Sequence, residues 1–318
     1  MEQGFEQGAQ RTVVISDNGV EVRKGDLRIA LDPDKKEPGS LVSHAHMDHL
    51  SSGAYMTRET HSILKVRRPR CKGIPMDYNT RYEINGFEVT FYPAGHVFGS
   101  AMLKVDDVLY TGDFNTQDGY TCGHAHPMPC RILVTEATYG TPDHVLPKKS
   151  IVYRDMIRTI KESDKQVVIA AYAFGKAQEI IALLNRNDIS VAVPDEIAQI
   201  AYIYSLHGHT LKYEPLNLKT DTKVAIVPRV LVQKPTPEVK RFLDAGAKTA
   251  IASGWAAFQL FSGYDLRIPL SDHADFYDIL RFVEQCSPEK VYTVHGYPRE
   301  LAREIRDRLG IEAYPLRD

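Results

Sequence analysis

Apolar and polar residues alternate with a period of two through residues 19–33, 82–95 and 101–114, the pattern of strands that bury one face. Turn dipeptides such as Asn85-Gly86 separate these runs, which predicts a meander of antiparallel strands with loops at one edge. From about residue 146 the rhythm changes. Residues 165–172 and 189–194 are short apolar runs, whereas residues 175–187 and 195–208 place apolar side chains at helical spacing, the second with Asp195 as its expected N-cap. A further helix over 236–246 leads to a strand over 248–255, and the chain closes with a helix within 270–286, capped by Asp275, and a strand within 290–297. Strand alternating with helix needs crossover connections and predicts a parallel sheet. The sequence is therefore expected to be α/β, with a first unit over 1–145, an insert over 146–259, and a return segment of the first unit over 260–318.

Composition narrows the class. A chain of 318 residues with 43% hydrophobic residues can bury a sizeable core. No stretch is apolar enough to span a bilayer and the N-terminus lacks a signal-peptide pattern, so a cytoplasmic protein with no membrane partner is expected. Four cysteines make no disulfide framework in a chain of this length. The net charge of -2 gives no overall attraction to nucleic acid, so a polyanion would have to be held by a local patch or by bound cations.

The candidate chemistry starts at "LVSHAHMDHLSSG", residues 41–53, where His44, His46, Asp48 and His49 crowd one turn. In an extended segment residues two apart face the same way, so His44, His46 and Asp48 can converge while His49 serves a neighbouring position. Mixed nitrogen and oxygen donors suit zinc, with manganese or iron as alternatives. The turn cannot complete two coordination shells by itself. His96 in "PAGHVFGS", Asp113 in "YTGDF" and His295 in "YTVHGY" each follow an apolar strand and stand beside glycine, and are the candidate distant ligands.

The ordered series HAHMDH, AGHVFGS and TGDF resembles the signature of the metallo-β-lactamase superfamily. The resemblance implies an αββα sandwich with metals at one edge: one metal on His44, His46 and His96, the other on Asp48, His49 and His295, with Asp113 bridging. "VTEATYG", "LSDHADF" and "YTVHGY" further resemble motifs A, B and C of the β-CASP nucleases, and "AYAFGKAQEI" the entry to their inserted domain, a parallel sheet with flanking helices. With "SGW", "SDHAD" and "HGY" the chain is most similar to compact members described as ligase-associated DNA exonucleases or archaeal 3′-end-processing-factor-like proteins. That implies a nuclease with two zinc ions, in which Asp48, Glu136 and His273 are catalytic. His273 would protonate the leaving group, and Glu136 would orient it and raise its pKa.

Single-stranded DNA or RNA is the expected substrate, with a 5′-to-3′ DNA exonuclease in DNA repair favoured and an RNA-processing nuclease as the alternative. A helicase or ligase is a candidate partner, and the modest size and lack of a dimerisation module favour a monomer slightly. Arg67, Arg68 and Arg70 of the basic run at residues 65–72, and Gly175 with Lys176 at a helix start, are candidate nucleic-acid contacts. Cys122, His124, His126 and Cys130 form a further candidate zinc set of uncommon spacing. A small-molecule thioesterase and a metal-free scaffold are the competing classes; the inserted segment argues against the first and the filled ligand positions against the second.

Overall fold

The computed structural model describes residues 12–15, 19–46 and 52–316. Strands β1 (Val13–Ile15), β2 (Val20–Lys24) and β3 (Leu27–Leu31) form an antiparallel ribbon. β4 (Tyr55–Thr57) opens α1 (Arg58–Arg67), capped by the Thr57 hydroxyl on the Thr60 N–H, and pairs with β5 (Ile74–Met76). Of the three alternating runs the second and third form the expected meander, β6 (Arg81–Ile84), β7 (Phe87–Pro93), β8 (Ala101–Val105) and β9 (Val108–Tyr110), each antiparallel to the last, whereas residues 19–33 form β2 and β3 of the separate ribbon. β10 (Ile132–Glu136) then lies parallel to β9.

Helix α2 (Lys149–Glu162) leads into the alternating part: β11 (Val167–Ala170), α3 (Lys176–Asn185), β12 (Val191–Val193), α4 (Asp195–Leu206), β13 (Glu214–Pro215), β14 (Val224–Val227), α5 (Arg229–Gln233), α6 (Pro237–Asp244), β15 (Lys248–Ala252) and β16 (Leu266–Ile268). These six strands form one parallel sheet in the order β13-β12-β14-β11-β15-β16. Crossover helices cover it, and its central strands β12, β14 and β11 are apolar and buried on both faces, as a sheet covered on both sides requires. Asp195 is the first residue of α4 rather than its cap, which is Pro194; its charge sits in the first turn, where the helix dipole favours it.

The chain returns through α7 (Phe276–Cys286), β17 (Lys290–Val294), α8 (Pro298–Leu309) and β18 (Glu312–Pro315). β17 inserts beside β10, giving a seven-stranded sheet in the order β18-β17-β10-β9-β8-β7-β6. One face packs on the β1–β3 ribbon and the other on α7 and α8. Two sheets between helices, with a separate parallel sheet inserted, is the expected α/β architecture. Three strands of the larger sheet, β9, β10 and β17, run parallel with their carboxyl ends together, and the candidate chemistry lies at those ends. The four cysteines are free thiols. Among the described residues no helix is long and apolar enough to cross a membrane.

Candidate active site

Beyond β3 the chain turns and comes back beside it, so that Leu41 bridges Leu31 and Tyr55. Buried Asp32, at the end of β3, anchors the start of the histidine loop: its carboxylate accepts from the Ser43 N–H at 2.8 Å, the Ser43 hydroxyl at 2.5 Å and the Tyr110 hydroxyl at 3.0 Å. The Ser43 hydroxyl has one hydrogen and gives it to Asp32, so it accepts from Nδ1–H of His44, 2.8 Å away. That tautomer puts the lone pair of neutral His44 on Nε2. His96, on the loop after β7, donates Nδ1–H to the Asp272 carbonyl at 3.0 Å, which likewise leaves the lone pair on Nε2. Both Nε2 atoms face Oδ2 of Asp113, at 3.5 Å and 3.6 Å, and the His96 Nε2 lies 3.4 Å from Nδ1 of His46.

The three imidazole rings are 4.7–5.1 Å apart between centroids. Ligand atoms of His44, His46, His96 and Asp113 all lie within 4.8 Å of one another. Burial, with His273, His44 and His46 adding to it, holds the His96 pKa well below the ordinary imidazole value, so its ring is neutral. Lone pairs that converge on a carboxylate repel unless a cation lies among them. Three imidazoles and one carboxylate, with the outer nitrogens of His44 and His96 held by a hydroxyl and a carbonyl group, fit a divalent metal such as zinc. Gly112 lets Asp113 come this close: it has φ +52°, and a Cβ there would lie 2.8 Å from the Ser43 side chain.

Asp113 also belongs to a second group with Glu136 and His273. Glu136 ends β10 fully buried, and accepts from the Phe114 N–H at 2.7 Å, the Thr138 hydroxyl at 2.5 Å and Nδ1 of His273 at 2.8 Å. Burial opposes charge on both partners. For His273 the carboxylates of Glu136 and Asp113 outweigh it, so the pKa is pushed up to about 9. The imidazolium and the two other donors in turn hold Glu136 below the usual carboxylate range. The pair is ionised, and the imidazolium keeps Nε2–H to give.

The backbone of His273 is pinned as firmly as its ring. Asn115 donates its amide to the carbonyls of Ser271 and His273, at 3.4 Å and 3.1 Å, and the Ser271 hydroxyl accepts from the His273 N–H. Asp275 caps α7 immediately beyond, as expected. Asp32, Ser43 and Asn115 escape sequence reasoning. The link from the acid at the end of β3 to the histidine loop is visible to no pattern, and an asparagine in "GDFN" carries no ligand signal of its own.

Other candidates fall differently. His295 follows β17 with φ +59° and is exposed at the strand end beside that of β10; among the described residues it joins neither donor group. Asp48 and His49 lie outside the described residues. Lys176, a candidate phosphate contact by sequence, is instead buried, and its ammonium donates to the Leu270 carbonyl at 2.9 Å and Asp272 at 2.8 Å. Gly175 faces packing rather than a ligand, because a Cβ there would lie 2.4 Å from Val97. Arg67 lines a cleft beside His46, whereas Arg68 and Arg70 are exposed beyond the end of α1. Cys122, His124, His126 and Cys130 do not gather as one set: the Cys122 thiol donates to the Gly95 carbonyl and His124 pairs with Asp118.

Comparisons with known proteins agree with this geometry. Residues 267–315 match the family described as Zn-dependent metallo-hydrolase RNA specificity domain. The chain is 30% identical over 305 residues to a "Probable DNA ligase" of Opitutus terrae, covering 90% of this chain and 29% of that protein. It is 24% identical to an "RNase J-like protein" of Methanocaldococcus jannaschii, covering 90% and 87%, and 28% identical to "Endoribonuclease ysh-1" of Neurospora crassa, covering 46% and 22%. It thus spans less than a third of the ligase-named relative. A crystal structure of a protein of unknown function from Enterococcus faecalis has the same fold, with a TM-score of 0.69 at 14% identity over 96% of this chain and 98% of the other. With that αββα sandwich, its inserted parallel sheet and its histidine and aspartate donor cluster, the chain is similar to the β-CASP branch of the metallo-β-lactamase superfamily, which the matched family model and these relatives support.

Proposed function

We propose that this chain is a metal-dependent nuclease that hydrolyses phosphodiester bonds in single-stranded nucleic acid. The observation that carries the proposal is the ionised His273–Glu136 pair set against the donor cluster: a proton donor and a cation site share one wall formed by Asp113. In this reading His44, His46, His96 and Asp113 would hold one zinc ion, and Asp48, His49 and His295 would contribute to holding a second. When bound, such cations supply positive charge for a phosphate and make water a nucleophile near neutral pH. Asp113 helps position them. His273 gives its Nε2 proton to the departing oxygen, and Glu136 keeps that ring charged and oriented. Asn115 holds the His273 backbone so that the proton is delivered from one direction. The first unit is read as 1–145 with 260–318 and the insert as 146–259, the insert's sheet also taking in Leu266–Ile268 as its edge.

A 5′-end exonuclease on DNA is the favoured form, supported by similarity across 90% of the chain to a protein named as a DNA ligase. A ligase partner belongs to the same proposal. RNA is the second reading, favoured by the description of the family matched at residues 267–315 and by the RNase J-like relative. End-labelled DNA and RNA of one sequence, with 5′-phosphate and 5′-hydroxyl ends, separate the two when digested beside an Asp113→Ala control. Stepwise loss from the 5′ end of DNA is expected. Preference for RNA selects the second reading, and no cleavage of either polymer by zinc-loaded protein overturns the nuclease.

A further inference from the structure

The inserted sheet opens a crevice beside the donor cluster. β11 and β15 are parallel neighbours, but the chain leaves β11 through α3 toward β12 on one side and leaves β15 toward β16 on the other. Connections that part in this way open a crevice at the carboxyl ends of the strands, the place where open parallel sheets bind ligands. Here the crevice is a cleft of about 610 Å³, a size usual for small-molecule sites.

Its lining is aromatic and basic. Tyr172 follows β11 and is 64% exposed. Trp255 follows β15 and is braced from behind by Tyr139 and His144, with ring centroids 4.9 Å and 5.3 Å away. Phe261 lies beneath the Arg229 guanidinium at 5.2 Å, and Arg67 stands over Phe174 at 5.4 Å. One acid, Glu196, also lines the cleft, and its wall includes His46 of the donor cluster.

We infer that this cleft takes an unpaired nucleobase, stacked on Tyr172 and Trp255, with the neighbouring phosphates drawn toward Arg67, Arg229 and the metal site. The inference rests on the nuclease reading and adds which part of the strand is read: the face of a base, not only the backbone. Every base has a π-face, so the site tolerates sequence. A base inside a duplex presents no free face and does not enter.

Binding tests this separately from cutting. Zinc-loaded protein carrying His273→Ala is titrated with a fluorescent oligothymidine and with a chain of the same length built of abasic deoxyribose phosphates. The base-bearing strand is expected to bind about tenfold tighter or more. Tyr172→Ala and Trp255→Ala, each added to that background, are expected to remove most of the preference and leave the affinity for the abasic chain nearly as it was. Tyr172 is exposed, so its variant folds even where Trp255→Ala does not. A preference unchanged in Tyr172→Ala overturns the inference. A preference that depends on Tyr172, in a protein whose His273-containing form cuts nothing, overturns the nuclease reading and supports the stacking site.

Discussion

His273 shows how much one neighbour can do. Its pKa stands at about 9 because the buried Glu136 carboxylate outweighs the cost of burying the imidazolium. In metal-free protein, Glu136→Gln is expected to bring the ring's titration, followed by NMR, back toward or below 6.5. The folded value lies above the unfolded one, so this pair contributes stability fully below pH 6.5, and the contribution is lost as pH rises from there through about 9. Urea unfolding of the metal-free protein should therefore show a loss across that window that Glu136→Gln lacks. Ser43 offers a second test. Ser43→Ala removes the acceptor that sets the His44 tautomer, and a roughly 10- to 100-fold loss of cobalt affinity, read from visible absorbance, is expected. Both consequences depend on contacts no pattern announces. His44, His46, His96 and Asp113 could be picked out because each is a metal-binding type at a strand end beside glycine or another ligand. Asp32 could not, since a single aspartate before proline reads as a turn. Lys176 misleads for the opposite reason: "GK" at a helix start suggests a phosphate site, and the aspartate that claims it lies 96 positions away.

Helix α7 has a different economy. Asp275 accepts from the Asp278 N–H and also from the Leu146 N–H, so one side chain starts the helix and ties it to the segment before α2. Asp275→Ala is expected to lower unfolding free energy by about 1–3 kcal/mol, the range of a lost cap plus an unsatisfied buried N–H, measured by chemical denaturation. The cap was foreseeable, because an aspartate precedes an amphipathic run. The strands of the meander were foreseeable too, from their period of two. The order β13-β12-β14-β11-β15-β16 was not, since alternation of strand and helix says that a sheet is parallel but not on which side each crossover lands.

Both units of the fold meet at residues 270–273. Lys176 from the insert binds Leu270 and Asp272, Asn115 from the first unit binds Ser271 and His273, and the Asp272 carbonyl holds His96. Lys176→Met strands a buried carboxylate. A loss of about 3–5 kcal/mol in denaturant unfolding is expected, with weakened cobalt binding alongside because the His96 anchor shifts. If stability falls and metal affinity holds, the two units are less closely joined than these contacts imply. The same four residues have a consequence for synthesis. A ribosome that has delivered the chain only as far as residue 269 has made His44, His46, His96, Asp113 and Glu136, yet neither the proton donor nor the carbonyl that sets the His96 tautomer. β10 at that moment lacks its neighbour β17 and is an open edge. The growing chain therefore stays without its acid, and β10 without its neighbour, until residues 270–294 are threaded into place.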